Sequence, residues 1–145
     1  MDFSDAIHIS SSGLSAQRLR MNLISNNMAN VYTTRTEAGG PYQRQDAVFS
    51  AVPLETSFDS IMQSQLKQQF SEVQVTEVVS DPRPPIVKYD PNHPDADEKG
   101  YVSLPNINLV EEMTNMMSAA RSYEANVAAI NLSKKMALKA MEIGR

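Results

Sequence analysis

The chain has no cysteine among its 145 residues, and its eight prolines are confined to its middle. The absence of cysteine excludes disulfide bridges, thiolate zinc sites and cysteine nucleophiles. No apolar run approaches the ~20 residues that a membrane-spanning helix needs, so direct membrane insertion is not expected. Because proline interrupts helices, the proline-free ends can form long helices, whereas the stretch from Pro41 to Pro105 cannot.

The charge distribution follows the same division. Residues 1–35 carry two acidic and three basic residues. Residues 36–105 carry eleven acidic and five basic residues, and residues 106–145 carry four acidic and five basic residues. Nearly neutral ends suit close packing, and an acidic middle suits a solvated surface. The chain has neither a clustered basic face nor a high pI, since its net charge is −4, and therefore nucleic-acid binding is not expected.

The first five residues, Met1-Asp2-Phe3-Ser4-Asp5, are acidic rather than basic. A secretory signal peptide begins with basic residues and continues with an apolar stretch. The sequence therefore predicts either a cytosolic protein or export by a route that needs no cleaved signal.

A helix is predicted over about Asp5 to Val31. Its apolar residues recur with a spacing of seven or three, as a partial heptad pattern; they are Ile7, Leu14, Met21, Ile24, Met28 and Val31. The segment Ser10–Gly13 weakens this helix, because glycine costs ~1 kcal/mol relative to alanine. A helix of this length is marginal alone in water, so it needs a partner.

The strongest periodic signal lies after Pro105, where Asn106 or Asn108 is a plausible helix N-cap. Ten positions are spaced alternately by four and three residues: Leu109, Met113, Met116, Ala120, Tyr123, Val127, Ile130, Lys134, Ala137 and Met141. All of them except Lys134 are apolar or aromatic. This pattern predicts a coiled-coil-like helix that pairs antiparallel with the N-terminal one.

Apolar residues of the C-terminal helix exceed what one partner helix can cover. Those outside the periodic set include Met117, Ala119, Leu132 and Met136. Exposed apolar surface of this extent indicates protein contacts, and methionine suits a helix that meets several neighbours. We therefore expect the core to be shared between chains.

The middle predicts a small β-rich module. Strands are expected at Ala47–Phe49, Glu72–Val79, Ile86–Tyr89 and Tyr101–Leu104, whereas residues 58–70 allow either a short helix or a loop. The fold class is therefore mainly α with a small β-rich insert. The predicted division is 1–35, 36–105 and 106–145, in which the first and last segments form one helical core.

No catalytic arrangement is indicated. His8 and His93 are not spaced as metal ligands, and the acidic stretch 90–98 departs from an EF-hand loop at Pro94 and Asp95. No glycine-rich phosphate loop and no serine–histidine–acid arrangement is signalled. We predict no enzyme, no cofactor and no metal site.

Two segments at opposite ends of the chain resemble the axial proteins of the bacterial flagellum, a family of rod, hook and hook-associated proteins. The matching residues are Ser25, Asn26, Asn27, Met28, Ala29, Asn30 and Thr33 near the first end, and Pro105, Asn106, Asn108, Arg121, Tyr123, Glu124, Ala125 and Asn126 near the second. The short length and the segments Pro41–Gln43 and Tyr89–Pro94 are similar to proximal rod proteins. Tyr32 departs from the pattern, because the family usually has a small or polar residue there.

The resemblance implies a structural subunit of the proximal rod, the tubular drive shaft that crosses the periplasm and surrounds the export channel. It implies contacts with copies of the chain, with the rod proteins FlgB, FlgF and FlgG, with the adaptor FliE and with the MS-ring protein FliF. It also implies export through the flagellar type III apparatus without a cleaved signal. The alternatives are another axial protein and, in a different class, a coiled-coil secretion chaperone or adaptor.

Overall fold

The computed structural model describes residues 3–53 and 71–143 of the chain. The elements are, in order, α1 (Phe3–Ala29), β1 (Gln45–Pro53), β2 (Ser71–Ser80), β3 (Ile86–Tyr89), β4 (Tyr101–Leu104) and α2 (Leu109–Ile143). The predicted fold class, two long terminal helices with a small β-rich middle, is confirmed. The segment 58–70, which the sequence leaves ambiguous, lies outside the described residues.

Asn108 is the N-cap of α2. Its Oδ1 accepts a hydrogen bond from the Val110 amide at 3.1 Å, which satisfies one of the unpaired amides of the first turn. Asn106, the other candidate cap, instead donates from Nδ2 to the Pro84 carbonyl at 3.2 Å. Helix α2 therefore begins where the chain leaves the β-rich middle.

The two helices are antiparallel. Near the end of α1, Asn27 bonds to Glu112 in the first turn of α2, whereas Gly13, farther back in α1, lies against Asn126, farther along α2. The same alignment brings the first residue of α1 level with about residue 136, so the last two turns of α2 extend beyond α1.

The helix–helix interface is built from small and polar residues as well as from large apolar ones. Its buried positions are Gly13, Ala16, Leu23, Ile24 and Asn27 on α1, and Glu112 and Ala119 on α2. Ala119 is 0 % exposed. Small side chains let two helix backbones approach closely, so the position of this interface depends on size rather than on hydrophobicity alone.

The predicted pairing positions differ in how far the structure buries them. Leu109, Met113 and Met141 are exposed, as is Lys134. The pattern of apolar residues is offset by one position from the pattern of buried residues, since Gly13 and Asn27 are buried where Leu14 and Met28 were expected. The remaining predicted residues are half-buried, except for buried Ile24: Ile7, Leu14, Met21, Met28, Val31, Met116, Ala120, Tyr123, Val127, Ile130 and Ala137.

Gly13 offers a test of the close approach between the helices. A Cβ atom added at Gly13 would lie 2.9 Å from Nδ2 of Asn126, the movable end of a side chain. We expect Gly13→Ala to be nearly neutral, because the gain of about 1 kcal/mol in helix propensity offsets the crowding. Gly13→Leu should lower the free energy of unfolding by about 1–3 kcal/mol. Urea unfolding followed by circular dichroism measures both, and a leucine variant as stable as the alanine variant would contradict the close approach.

Both β-sheets are antiparallel pairs. Strand β1 pairs with β2 from Gln45 opposite Ser80 to Pro53 opposite Ser71, with a bulge at Val48/Phe49. Strand β3 pairs with β4, and the rings of Tyr89 and Tyr101 are in edge contact with centroids 5.3 Å apart. All four predicted strands are confirmed, and β1 and β2 extend beyond the predicted bounds.

Helix α1 crosses the β1–β2 hairpin diagonally. The Asn27 side chain bonds to the backbone of Gln45 at the outer edge of β1. Fifteen residues earlier, Ser12 Oγ accepts a hydrogen bond from the Val73 amide of β2 at 3.1 Å. Nearby, Nδ1 of His8 lies 3.2 Å from a carboxylate oxygen of Glu72. The hairpin is thus held to α1 at two places, one near each end of the helix.

The acidic turn between β3 and β4 uses its carboxylates to organise the backbone. Asp97 Oδ1 accepts from the amides of Lys99 and Tyr101 at 2.9 and 2.8 Å, and Asp95 Oδ2 accepts from Thr34 Oγ1 at 2.7 Å. Within residues 3–53 and 71–143, no group of three or more histidine or acidic side chains is arranged to hold a metal ion. Neither described helix is both long and apolar enough to span a membrane.

Candidate functional site

Asn27 lies at the centre of a buried polar junction, which we define as the side chains of Asn27, Tyr42, Arg44 and Glu112 with the backbone of Gln45. Its amide nitrogen donates to the Gln45 carbonyl at 2.8 Å and to Glu112 Oε2 at 3.2 Å. Its amide oxygen accepts from the Gln45 amide at 2.9 Å and from the Tyr42 hydroxyl at 3.1 Å. All four hydrogen-bonding positions of this fully buried side chain are therefore satisfied.

Glu112 carries a carboxylate into the same site from the first turn of α2. It is 1 % exposed, and its second oxygen, Oε1, accepts from Nε of Arg44 at 2.8 Å. Arg44 also bonds through Nη1 to Asp46 at 3.1 Å. The N-terminal end of a helix favours a negative charge, so the helix dipole adds to the ion pair. Glu112 therefore connects both helices to the segment that enters β1.

Burial and hydrogen bonding shift the pKa values of two side chains in the junction, Tyr42 and Arg44. Burial, together with the nearby Glu112 carboxylate, raises the pKa of the Tyr42 hydroxyl, so Tyr42 remains a neutral donor. Burial alone would lower the pKa of Arg44, but the hydrogen bonds to Glu112 and Asp46 outweigh it and raise that pKa. The junction therefore joins the direct ion pair of Arg44 and Glu112 to the neutral side chains of Asn27 and Tyr42.

The other residues of the first signature shape the end of α1. Asn30 Nδ2 donates to the Asn26 carbonyl at 2.9 Å, and Thr33 Oγ1 donates to Asn30 Oδ1 at 3.0 Å. These bonds satisfy carbonyl and side-chain groups where the helix stops. Ser25, Asn26 and Ala29 are exposed, so the structure brings only part of the signature into the junction.

The residues of the second signature are also partly buried and partly exposed. Pro105 is buried beneath the start of α2, and Tyr123 and Asn126 are half-buried. Arg121, Glu124 and Ala125 are exposed. The structure does not bring the two signatures together as one cluster. A family role for each of these residues remains a prediction.

Sequence reasoning missed the links between Glu112, Arg44 and Tyr42. The helix dipole alone accounts for an acidic residue in the first turn of α2, and no sequence pattern pairs Glu112 with Arg44. The available signal was the presence of polar Asn27 and Glu112 close to apolar periodic positions, since buried polar residues are hydrogen-bonded.

A second candidate site is the outer face of α2, which we define as Val110, Met113, Met117, Leu132 and Met136. All five are exposed, and they lie on the side of α2 away from α1. Met117 is 55 % and Leu132 60 % exposed. Exposed apolar side chains thus lie at both ends of this face, with exposed Arg121 and Glu124 between them, and such patches are typical of a surface that another protein covers.

Comparison with known proteins defines the class to which this fold and junction belong. Residues 7–35 match the family described as "Flagella basal body rod protein", and residues 98–143 match "Flagellar basal body rod FlgEFG protein C-terminal". The first segment contains Asn27 and the second contains Glu112, so both helical partners of the junction lie within matched regions. The chain is therefore one of the flagellar basal-body rod proteins.

Full-length relatives narrow the class. The chain is 46 % identical to "Flagellar basal-body rod protein FlgC" of Borreliella burgdorferi, over 99 % of this chain and 98 % of the relative. It is 40 % identical to the protein of that name from Bacillus subtilis, over 97 % of each chain. The Yersinia enterocolitica protein is 35 % identical over 100 % of both. The chain belongs to the FlgC family.

Proposed function

We propose that this chain is a structural subunit of the proximal rod of the bacterial flagellum and that it polymerises through its terminal helices. The observation that carries the proposal is the outer face of α2, which is apolar and which α1 leaves uncovered. Neighbouring subunits would bury this face, because removing apolar surface from water is the dominant force in protein association.

The division of labour within the subunit follows from charge and packing. Residues 1–35 and 106–145 form the helical core of the shaft, and residues 36–105 form a module on its outside. The carboxylates of Asp95 and Asp97 already serve this module internally, and its remaining acidic residues keep it solvated. Many parallel contacts along the long helices would resist twisting, which a drive shaft requires.

The partners and the location belong to the same proposal. The subunit contacts copies of itself and other rod components, among them FlgB, FlgF, FlgG, FliE and FliF. It reaches the periplasm through the flagellar type III export apparatus and needs no cleaved signal. The non-enzymatic role agrees with membership of a family of structural rod proteins.

The test places a charge on the outer face of α2. Met117→Asp should abolish swimming in soft agar and remove the chain from purified basal bodies, because an unpaired carboxylate would be buried between subunits. The monomer should keep its helix content and its free energy of unfolding within about 0.5 kcal/mol, since Met117 is exposed in the free chain.

The matched control introduces the same residue on the β-rich module. Gln74→Asp adds a carboxylate at an exposed position of β2 and should leave swimming and incorporation unchanged. Normal incorporation of the Met117→Asp chain would rule out the outer face as an assembly surface.

A further inference from the structure

The contact between the helix pair and the β1–β2 hairpin contains little buried apolar surface. Among the described residues, the buried apolar side chains belong to the helices, to β4 and to the segment before α2; they are Ala16, Leu23, Ile24, Val102, Ile107 and Ala119. Strands β1 and β2 contribute none. Because apolar contact has no directional preference, the half-buried apolar residues of these strands, such as Phe49 and Val75, do not by themselves fix the angle of the hairpin.

The side-chain amide of Asn27 provides directional hydrogen bonds to β1, because it bonds to the backbone of this strand as a neighbouring strand would. In an antiparallel sheet, two hydrogen-bonded residues exchange both backbone bonds. The Asn27 side-chain amide does the same with Gln45, because it donates to the carbonyl at 2.8 Å and accepts from the amide at 2.9 Å. The first residue of β1 is thus paired to the end of α1 as it would be to another strand.

We propose that Asn27 is a positioning residue that fixes the direction in which the β1–β2 hairpin projects from the helix pair. Tyr42 and Glu112 act through it by holding its amide in one orientation. If the amide turned over, its oxygen would face the Gln45 carbonyl and the Glu112 carboxylate, and its nitrogen would face the Gln45 amide. Each of these contacts joins like groups, so only one orientation is allowed.

The pattern of hydrogen-bond donors and acceptors in the junction restricts which residues fit at positions 27 and 112. Aspartate at position 27 would be an acceptor only, and two of its neighbours are the Gln45 carbonyl and the Glu112 carboxylate. Glutamine at position 112 would have one acceptor for two donors, Asn27 Nδ2 and Arg44 Nε, so one donor would face its NH₂ group. The junction therefore requires an amide at 27 and a carboxylate at 112.

The second attachment of the hairpin, at Ser12, provides the contrast. The bond from the Val73 amide to Ser12 Oγ is exposed, and the nearby His8 side chain is 65 % exposed. Water can replace these contacts at little cost, whereas it cannot reach Asn27. The direction of the hairpin is consequently set at the Asn27 end.

The absence of cysteine allows a direct measurement on the full-length monomer. Ser118→Cys on α2 and Gln74→Cys on β2 are both at exposed positions and would be the only thiols. Spin labels on them report the distribution of distances between helix and hairpin by double electron–electron resonance. Adding Asn27→Ala should broaden that distribution about two-fold, because the directional bonds are lost. The control Ser12→Ala should leave its width unchanged.

A merely structural role for Asn27 would lower stability without changing the width at temperatures where the protein remains folded. Helix content by circular dichroism is therefore measured on the labelled samples. If the Asn27→Ala protein loses its helix content, the distance distribution of the Tyr42→Phe protein is the test instead, since this substitution removes a single hydrogen-bond donor and keeps the ring. Broadening in Tyr42→Phe supports the proposal, and an unchanged width in every folded variant overturns it. The orientation does not depend on the proposed function, so this test stands apart from rod assembly.

Discussion

Replacing Glu112 with alanine should lower the free energy of unfolding by about 3–5 kcal/mol, the cost typical of breaking a buried ion pair. The substitution removes the acceptor of Arg44 Nε at 2.8 Å and leaves Asn27 Nδ2 with one bond fewer. It also removes a carboxylate from the first turn of α2, where the helix dipole favours it. Equilibrium urea unfolding of the monomer, followed at 222 nm, measures the loss.

Two further variants separate charge from shape at this position. Glu112→Gln keeps the shape and should cost about 1–3 kcal/mol, because one buried donor is left facing another donor. Glu111→Ala removes the exposed neighbouring carboxylate and should stay within about 0.5 kcal/mol of the wild type. If Glu112→Ala proves no more destabilising than Glu111→Ala, the junction contributes nothing to stability.

Ala119→Asp should separate the helix pair. Ala119 is 0 % exposed at the helix–helix interface, so the new carboxylate would be buried without a partner. Such a group costs several kcal/mol, comparable with the roughly 5–15 kcal/mol that stabilises a whole domain. We expect a large loss of helix content at pH 7 and 25 °C, measured by circular dichroism.

The pH dependence identifies the cause of that loss. A buried carboxyl has a raised pKa, so its stability cost is smallest when it is protonated and grows as the pH rises. The loss of helix content in the Ala119→Asp protein should therefore be smaller at pH 4 than at pH 7. The matched control is Ala129→Asp, the same substitution at an exposed position of α2, and it should remain folded at both pH values. A folded Ala119→Asp chain at pH 7 would show that the helices are not in close contact there.

The sequence predicted the elements of this fold because their signals are local. Proline limits and heptad spacing located α1 and α2, and alternation located β2. The helix–helix interface was harder, because apolarity points to Leu14 and Met113 whereas the close approach of the backbones selects Gly13 and Ala119. Side-chain size, together with hydrophobicity, therefore decides where these two helices touch.

The polar junction could not be predicted for a different reason. Asn27 and Glu112 are 85 residues apart, and Arg44 is 68 residues from Glu112. No periodicity connects positions so distant, and each residue has an ordinary local interpretation, as a helix-end asparagine or as a first-turn acid. The resemblance to the axial proteins singled out Asn27, but its partners became visible only in three dimensions.

The overhang of α2 beyond α1 makes the two ends of the helix pair unequal in how they open. At one end the junction ties Asn27, Arg44 and Glu112 together, and at the other the last two turns of α2 extend beyond the first described residue of α1 and have no opposite helix among residues 3–53 and 71–143. Local unfolding begins where backbone hydrogen bonds are exposed and packing is thin. We therefore expect the helix pair of the free subunit to open first at the overhanging end and last at the junction.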